Sequence, residues 1–277
     1  MSNCPKNKIR TYKIESWDEF IKEVRVTHFS GHRYFRGHTN PDWLLASQWE
    51  RYLTQVKGNN KDLNHRKIPV EGTFERARDN YLEIFKHWAW ESGVLDVSSN
   101  NFSDDDWWAL ARHHGLKTPL LDWSLSPYIA AFFAYVGLLE RDIIGFSQGN
   151  PEVLRPNFQG MVVIWELNML EEIEYGNEFE LITPRPFLAG NQIRQRGVFT
   201  RLTHDVYADL ESYFKSCGLG QYLGRWELPA TDYAKAIADL RLMNIRYATL
   251  FPDLRGAALD ANTGVQFSKI STILPLM

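Results

Sequence analysis

The apolar segment between Trp123 and Leu139 is the feature that most limits how this chain of 277 residues can fold. Ser126 followed by Pro127 is typical of a helix start, with a capping residue and then a proline at the first helical position. We predict a helix from Tyr128 to Leu139. Because its side chains are apolar on nearly all sides, this helix must be buried centrally. Even with Pro127 included, its length of roughly 13 residues is too short for a membrane span, which needs about 20.

The remaining predicted elements follow one another in no regular order. Helical spacing and capping residues predict helices that begin near Trp17, Phe74, Trp107 and Thr231, the last running to about Met243. Strands are predicted at 33–36, 118–123, 161–167 and around 198–199, with a turn at 37–41 and a polar surface loop at 57–72. Because helices and strands do not alternate as in a nucleotide-binding parallel sheet, we predict an α+β fold in a single domain over residues 1–277.

Composition and missing motifs argue against several function classes. Net charge is only −3, and two cysteines, Cys4 and Cys217, are too few for a disulfide framework or a thiolate zinc cluster. No phosphate-loop, dinucleotide, serine-hydrolase or zinc-protease signature occurs. The adjacent His113 and His114 would point about 100° apart on a helix, so we predict no metal site. With no apolar leader among residues 1–10, we expect a cytoplasmic location.

Asp122 lies in the densest group of polar and apolar signals, residues 111–134. Its neighbours Leu121 and Trp123 are apolar, and a carboxylate in such surroundings needs a partner. One interpretation is structural: Asp122 accepts hydrogen bonds from the free N–H groups at the start of the following helix. The other is functional: Asp122, His114 and that helix start line a ligand cleft. The sequence leaves both open.

Two basic segments are candidate anion sites. Arg36 stands between Phe35 and Gly37, where a glycine allows close approach of a ligand and a guanidinium can fork onto carboxylate or phosphate. The alternative is an ordinary surface strand residue. Residues 185–201 carry four arginines and no acid, whereas 171–180 carry five glutamates. The second segment therefore predicts either an anion surface or arginines paired with those glutamates.

Several of these motifs, taken in chain order, resemble the FRG domain family, which is named for its Phe-Arg-Gly motif. They are Tyr34–Gly37, His114–Ser124 with Ser126–Ala134, Gln195–Thr200 and Thr249–Leu254. The similarity spans about residues 30–260 and implies that this is the core of the domain. The chain departs from the family at Pro119, where an arginine usually follows the motif threonine.

A weaker resemblance is to the layout of ADP-ribosyltransferases. It implies a split mixed β-sheet around a cleft, NAD as substrate, and catalytic roles for Arg36, Asp122 and Gln195. The NAD-binding residues that it implies are Arg36, Gly37, His114, Trp123, Ser124, Ser126 and Phe133. Gln195 stands where those enzymes carry glutamate, and an amide cannot act as a general base, although it can orient a hydroxyl.

The resemblance leads to a main hypothesis, a toxin or anti-phage defence protein that transfers ADP-ribose to a macromolecule and is held in check by an antitoxin. We expect a nucleic acid acceptor, RNA ahead of DNA. The basis is a set of cations and aromatics with few acids nearby: Arg194, Arg196 and Arg201, the segment from Arg51 to Lys67, and Trp43 or Trp107. One alternative is a non-catalytic module that binds a nucleotide or partner. Another is a nuclease or hydrolase that uses His114 and Asp122.

Overall fold

The computed structural model describes residues 7–27, 32–59, 73–93, 101–146, 159–170, 174–183, 197–203 and 207–273. Within them the strands are β1 (Arg10–Lys13), β2 (His32–His38), β3 (Leu121–Ser124), β4 (Met161–Met169), β5 (Phe179–Ile182), β6 (Gly197–Leu202) and β7 (Leu223–Pro229). The helices are α1 (Trp17–Thr27), α2 (Gln48–Asn59), α3 (Thr73–Glu91), α4 (Asp104–His113), α5 (Pro127–Phe146), α6 (Leu210–Ser216), α7 (Tyr233–Leu242), α8 (Tyr247–Leu250) and α9 (Leu254–Ile273).

The strands form one mixed sheet of seven, in the order β1-β7-β4-β2-β3-β6-β5. Strand β1 is parallel to β7, and all other neighbours are antiparallel. With helices against this sheet, the predicted α+β class is confirmed.

The sheet divides in its middle, between β2 and β3. These strands share a single residue pair, Phe35 opposite Ser124. On either side of this junction the ladders are continuous, since β2 pairs with β4 along its whole length and β3 pairs with β6 likewise. Backbone groups of β2 and β3 beyond the junction therefore face a gap, and side chains must supply their partners.

Helix α5 is the buried central helix that its composition predicts, and it extends to Phe146, beyond the predicted end. Its residues Ala131 and Ala134 are fully buried in a core with the inner side of the sheet and α7. At Gly37 the helix backbone comes so close to β2 that a Cβ atom would overlap the Ala130 carbonyl oxygen. The absence of a side chain at Gly37 therefore allows helix α5 to pack closely on β2, whereas the sequence suggested the close approach of a ligand.

Several helices and strands predicted from the sequence begin or end at other residues in the structure. Gly37 and His38 belong to β2 and not to a turn, because β4 pairs with both. Strand β3 begins at Leu121 and not at residue 118. Helix α2 runs to Asn59, so the predicted loop at 57–72 begins inside a helix, and residues 60–72 lie outside the described residues. Just beyond the end of α7, Asn244 has a left-handed backbone conformation, with φ of 61°.

Candidate active site at the division of the sheet

An open cleft of about 530 Å³ lies where the sheet divides. It is lined by 35–37 of β2, Asp122, Trp123 and Ser124 of β3, Ala109, Arg112, His113 and Gly115 around the end of α4, Ala130 and Phe133 of α5, Gln48, and Phe251, Asp253 and Arg255. This volume is within the range of small-molecule sites, roughly 300–1,000 Å³. Most of the cleft is therefore built from segments that the family resemblance singled out.

Arg36 spans the gap between the two strands. Its Nη1 donates to the backbone carbonyl of Asp122 at 2.9 Å and lies 3.4 Å from the carboxylate Oδ2 of the same residue. Its Nε donates to Nε2 of His38 at 3.1 Å. Among the described residues, no hydrogen bond or ion pair engages Nη2 of Arg36. Arg36 also lines the cleft.

Arg112 holds the other side of Asp122. Its Nε donates to Oδ1 at 2.5 Å and its Nη2 donates to Oδ2, which makes a forked, two-bond pair. Local structure places Arg112 in the last turn of α4. A capping box between Ser103 and Asp106 starts that helix, and Gly115 with φ of 90° ends it.

Positive charge exceeds negative charge at this point. Burial would raise the pKa of Asp122, but the Arg112 and Arg36 guanidiniums outweigh it and hold the pKa below its ordinary value. Burial lowers the pKa of Arg36 to about 10, which still leaves it charged at neutral pH. Burial together with Arg36 and Arg51 lowers the pKa of His38 to about 2. His38 is therefore neutral, and its Nε2 accepts the bond from Arg36.

An aromatic wall faces the charged floor of the cleft. Phe133 of α5 and Phe251 meet edge to face, with ring centroids 6.2 Å apart. Phe251 is held by the turn into α9, where the Gly256 amide donates to Oδ1 of Asp253 at 2.7 Å. A flat ring could stack here while an anionic group contacts the floor.

The structure brings most of the predicted site residues together and excludes others. Arg36 and Asp122 are in contact, and Gly37, Trp123, Ser124 and Phe133 line the same cleft. Trp123 is mainly a core residue, because its side chain is buried and its Nε1 donates to Thr200 at 2.9 Å. Gln195 lies outside the described residues, so its predicted role stays a prediction.

Two predicted binding residues do not reach the cleft. His114 is the exposed residue at the C-terminal cap of α4, and its neighbour His113 lines the cleft instead. Ser126 caps α5, with its Oγ accepting from the Ile129 amide at 3.4 Å. The nuclease or hydrolase alternative relied on His114 beside Asp122, and the cleft lining contains only the second of these two residues.

The structural interpretation of Asp122 named the wrong partners. That interpretation has the carboxylate accept from free amides at the start of α5, but Ser124 accepts from the Ser126 amide at 3.0 Å and Ser126 accepts from the Ile129 amide. The carboxylate is instead bound by Arg36 and Arg112. The cause is the division of the sheet, which directs Asp122 toward β2 and α4.

The predicted anion surface at 185–201 is described only at its end. Arg201 there is paired with Glu180 and with Asp105, which supports the alternative of arginines paired with upstream acids. Arg185, Arg194 and Arg196 lie outside the described residues. Trp107, one of the two tryptophans expected to contact nucleic acid, is instead buried in a cluster with Leu82 and Phe85 of α3.

Residue-by-residue reasoning missed Arg112 and Arg255. Arg112 directly precedes His113 and His114. Its position one helix turn before Gly115 indicates that it lies at the end of a helix, close to the start of the following strand. Arg255 directly follows the motif Thr249–Leu254, whose resemblance to the FRG family gave no function to its residues. Within the described residues, no group of three or more histidine, cysteine or acidic side chains could hold a metal ion, and no helix is long and apolar enough to cross a bilayer.

Comparison with known proteins gives one finding. A family model, the FRG domain, matches residues 31–142. That range contains β2, α4, β3 and most of α5, and therefore Arg36, Arg112 and Asp122. No curated protein and no solved structure matches the chain.

Proposed function

The chain carries an FRG domain, and we propose that its cleft binds NAD and that the protein transfers ADP-ribose from NAD to a macromolecule. The observation that carries this proposal is Arg36 at the division of the sheet, where it lines a cleft that also contains Phe133 and Phe251. A guanidinium of this kind suits the NAD pyrophosphate, and the phenylalanine pair suits a base.

The chemistry requires stabilisation of a cationic sugar. The bond between ribose C1′ and the nicotinamide nitrogen breaks, its electron pair leaves with nicotinamide, and an acceptor oxygen or nitrogen bonds to C1′ and releases its proton to water. The intermediate state resembles an oxocarbenium ion, so a negative or dipolar group near the sugar lowers the barrier. Asp122 is ionised at neutral pH, because Arg112 and Arg36 keep its pKa low despite burial, but the same two guanidiniums offset its charge. Gln195 is the proposed dipolar group.

A second candidate is a non-catalytic module that binds a nucleotide in the same cleft. It is favoured by the state of the acids there: Asp122 is held by two guanidiniums, and Asp253 accepts from the Gly256 amide. Neither carboxylate is poised as a general base.

Labelled NAD separates these functions. We expect wild-type protein to release nicotinamide and to transfer label to material from a cell extract. Arg36→Gln should weaken NAD binding by about 10- to 150-fold, since a hydrogen bond to a charged group contributes roughly 1.5–3 kcal/mol. Arg201→Gln is the matched control, because Arg201 is also charged and mostly buried (16% exposed, against 17% for Arg36) but lies outside the cleft lining. NAD binding without nicotinamide release would support the non-catalytic module, and absence of NAD binding would refute both.

We also propose the biological setting that the resemblance implies, a cytoplasmic toxin or anti-phage protein with a cognate antitoxin. Expression of the wild type in a bacterial host should then stop growth, whereas Arg36→Gln should be tolerated at equal protein level. Equal toxicity of both proteins would show that growth arrest does not depend on the cleft.

A further inference from the structure

A surface with exposed aromatic and basic side chains borders the cleft, and neither the cleft lining nor the core accounts for it. It consists of Trp43, Arg51, Tyr52 and Lys117, which we call the rim. Trp43 is 46% exposed and Tyr52 is 41% exposed, although both lie in a segment whose Leu45 and Trp49 are buried. Large exposed rings beside a ligand cleft mark a binding surface more often than a packing error.

The rim is connected to the cleft through His38 and through the start of α2. The ring of Trp43 meets that of His38, which accepts a hydrogen bond from Arg36, with a centroid distance of 6.0 Å. The Trp49 amide donates to the Thr118 carbonyl at 3.2 Å, which joins the start of α2 to the segment of Lys117. Lys117 Nζ lies 4.9 Å from the centre of the Tyr52 ring.

The rim also carries positive charge, on Arg51 and Lys117. Arg51 uses its Nε to donate to the Ser47 carbonyl at 3.2 Å, and within the described part of the chain no hydrogen bond or ion pair engages its two Nη atoms. Burial and the nearby charge of Arg112 lower the pKa of Arg51, and the charges of Glu50 and Asp122 partly oppose this shift. Glu50, the acid next to it, is buried and accepts from the Ser47 amide, so it does not face solvent.

We infer that the rim is the docking surface for a single-stranded nucleic acid, which is the acceptor of the proposed transfer. Unpaired bases stack on aromatic rings while cations follow the phosphate backbone, and the rim offers both beside the cleft. A protein acceptor would be recognised by a different chemistry and is an outcome of the test. Only the role of this nucleic acid as acceptor rests on the proposed function, because docking itself can be measured without NAD.

The test is fluorescence anisotropy of a labelled 12-nucleotide oligouridylate, with oligothymidylate as the arm that separates RNA from DNA. Trp43→Ala should weaken binding by about 5- to 150-fold, the effect of one lost stacked base. Trp88→Ala is the matched control, since Trp88 is 65% exposed on α3 and outside the cleft. Lys117→Gln, a mild surface change, should reduce the slope of log affinity against log salt by about 0.7. Lys215→Gln on α6 removes the same charge elsewhere and should not.

Thermal unfolding of each variant shows that it is folded. Failure of the wild type to bind either oligonucleotide, or equal weakening by Trp43→Ala and Trp88→Ala, would overturn the rim as a docking surface. Transfer of NAD label only to protease-sensitive, nuclease-resistant material would show that the acceptor is a protein and not a nucleic acid bound at the rim. Absence of NAD turnover would refute the proposed function instead, and would leave the oligonucleotide measurements standing.

Discussion

Two arginine clusters in this molecule have almost the same burial and opposite charge balance. On the outer strands, Arg201 is 16% exposed and contacts two acids, Asp105 at 2.7 Å and Glu180 at 2.5 Å. At the division of the sheet, Arg36 and Arg112, 17% and 18% exposed, share one acid, Asp122. The first cluster has excess negative charge and the second has excess positive charge.

The difference shows why the number of ion pairs is a poor guide to function. Arg201 has its charge more than compensated, and its contacts join α4 to the strands β5 and β6. Asp122 cannot compensate two guanidiniums, so an anion in the cleft would complete the cluster. The excess positive charge of the second cluster lies on a cleft wall, whereas the first cluster, with its excess acid, joins a helix to two strands.

The largest expected effect comes from removing the single acid of the cleft cluster. Asp122→Asn leaves two mostly buried guanidiniums without a counter-ion, and we expect the free energy of unfolding to fall by about 3 kcal/mol, the low end for a broken buried pair because Asp122 is 37% exposed. Asp105→Asn should cost less than about 1 kcal/mol, because Glu180 still pairs with Arg201. Urea unfolding of both variants measures this, and equal losses would contradict the comparison.

A comparable effect is expected on the pH dependence of stability, through His38. Its pKa is about 2 in the folded protein, because of burial and the charges of Arg36 and Arg51, and about 6.5 when unfolded. Below pH 6.5, His38 therefore binds a proton in the unfolded chain but not in the folded chain. Stability is full above this pH and falls by about 1.4 kcal/mol per pH unit as pH decreases toward the folded pKa.

His38→Gln removes the group that binds this proton and keeps a hydrogen-bond acceptor for Arg36. Urea unfolding between pH 6.5 and 4.5 should show the wild type losing about 2 to 3 kcal/mol more than the variant. Arg201→Gln should change this difference little, since no shift of the pKa of His38 is due to Arg201. Parallel curves for wild type and His38→Gln would mean that His38 is protonated in the folded state.

Much of the fold followed from local signals, and the site followed only in part. Helices α4 and α5 were predicted because their caps, glycine and apolar residues lie within a few positions of one another. Strands β1, β5 and β7 were missed, since β1 and β5 are four residues long and β1 pairs with a strand more than 200 positions away. Strand β7 does alternate between polar and apolar residues over Arg225–Leu228, so a signal was present there, whereas four residues are too few to show a period in β1 or β5.

The same limit applies to the partners of Asp122. The sequence indicates that a carboxylate between Leu121 and Trp123 needs a partner, and it offers the nearest amides as well as several arginines. The choice depends on how α4 and β2 lie beside β3, which is a property of the divided sheet. Gly37 is a similar case: the glycine predicts a close approach, and only the packing of α5 shows what approaches.

The smallest expected effect tests whether Arg112 positions the site or merely stabilises it. In Arg112→Lys the charge remains, but one ammonium cannot bond both oxygens of Asp122 as the fork does, so Arg36 loses a fixed neighbour. We expect NAD affinity to fall by about 3- to 5-fold, an effect of roughly 1 kcal/mol, with little change in the unfolding midpoint. Arg112→Ala should bind at least as weakly as the lysine variant, and Arg201→Lys should bind NAD like the wild type. If Arg112→Lys lowers stability while NAD affinity stays unchanged, Arg112 is a joint of the same kind as Arg201, and excess charge at the cleft does not select the ligand.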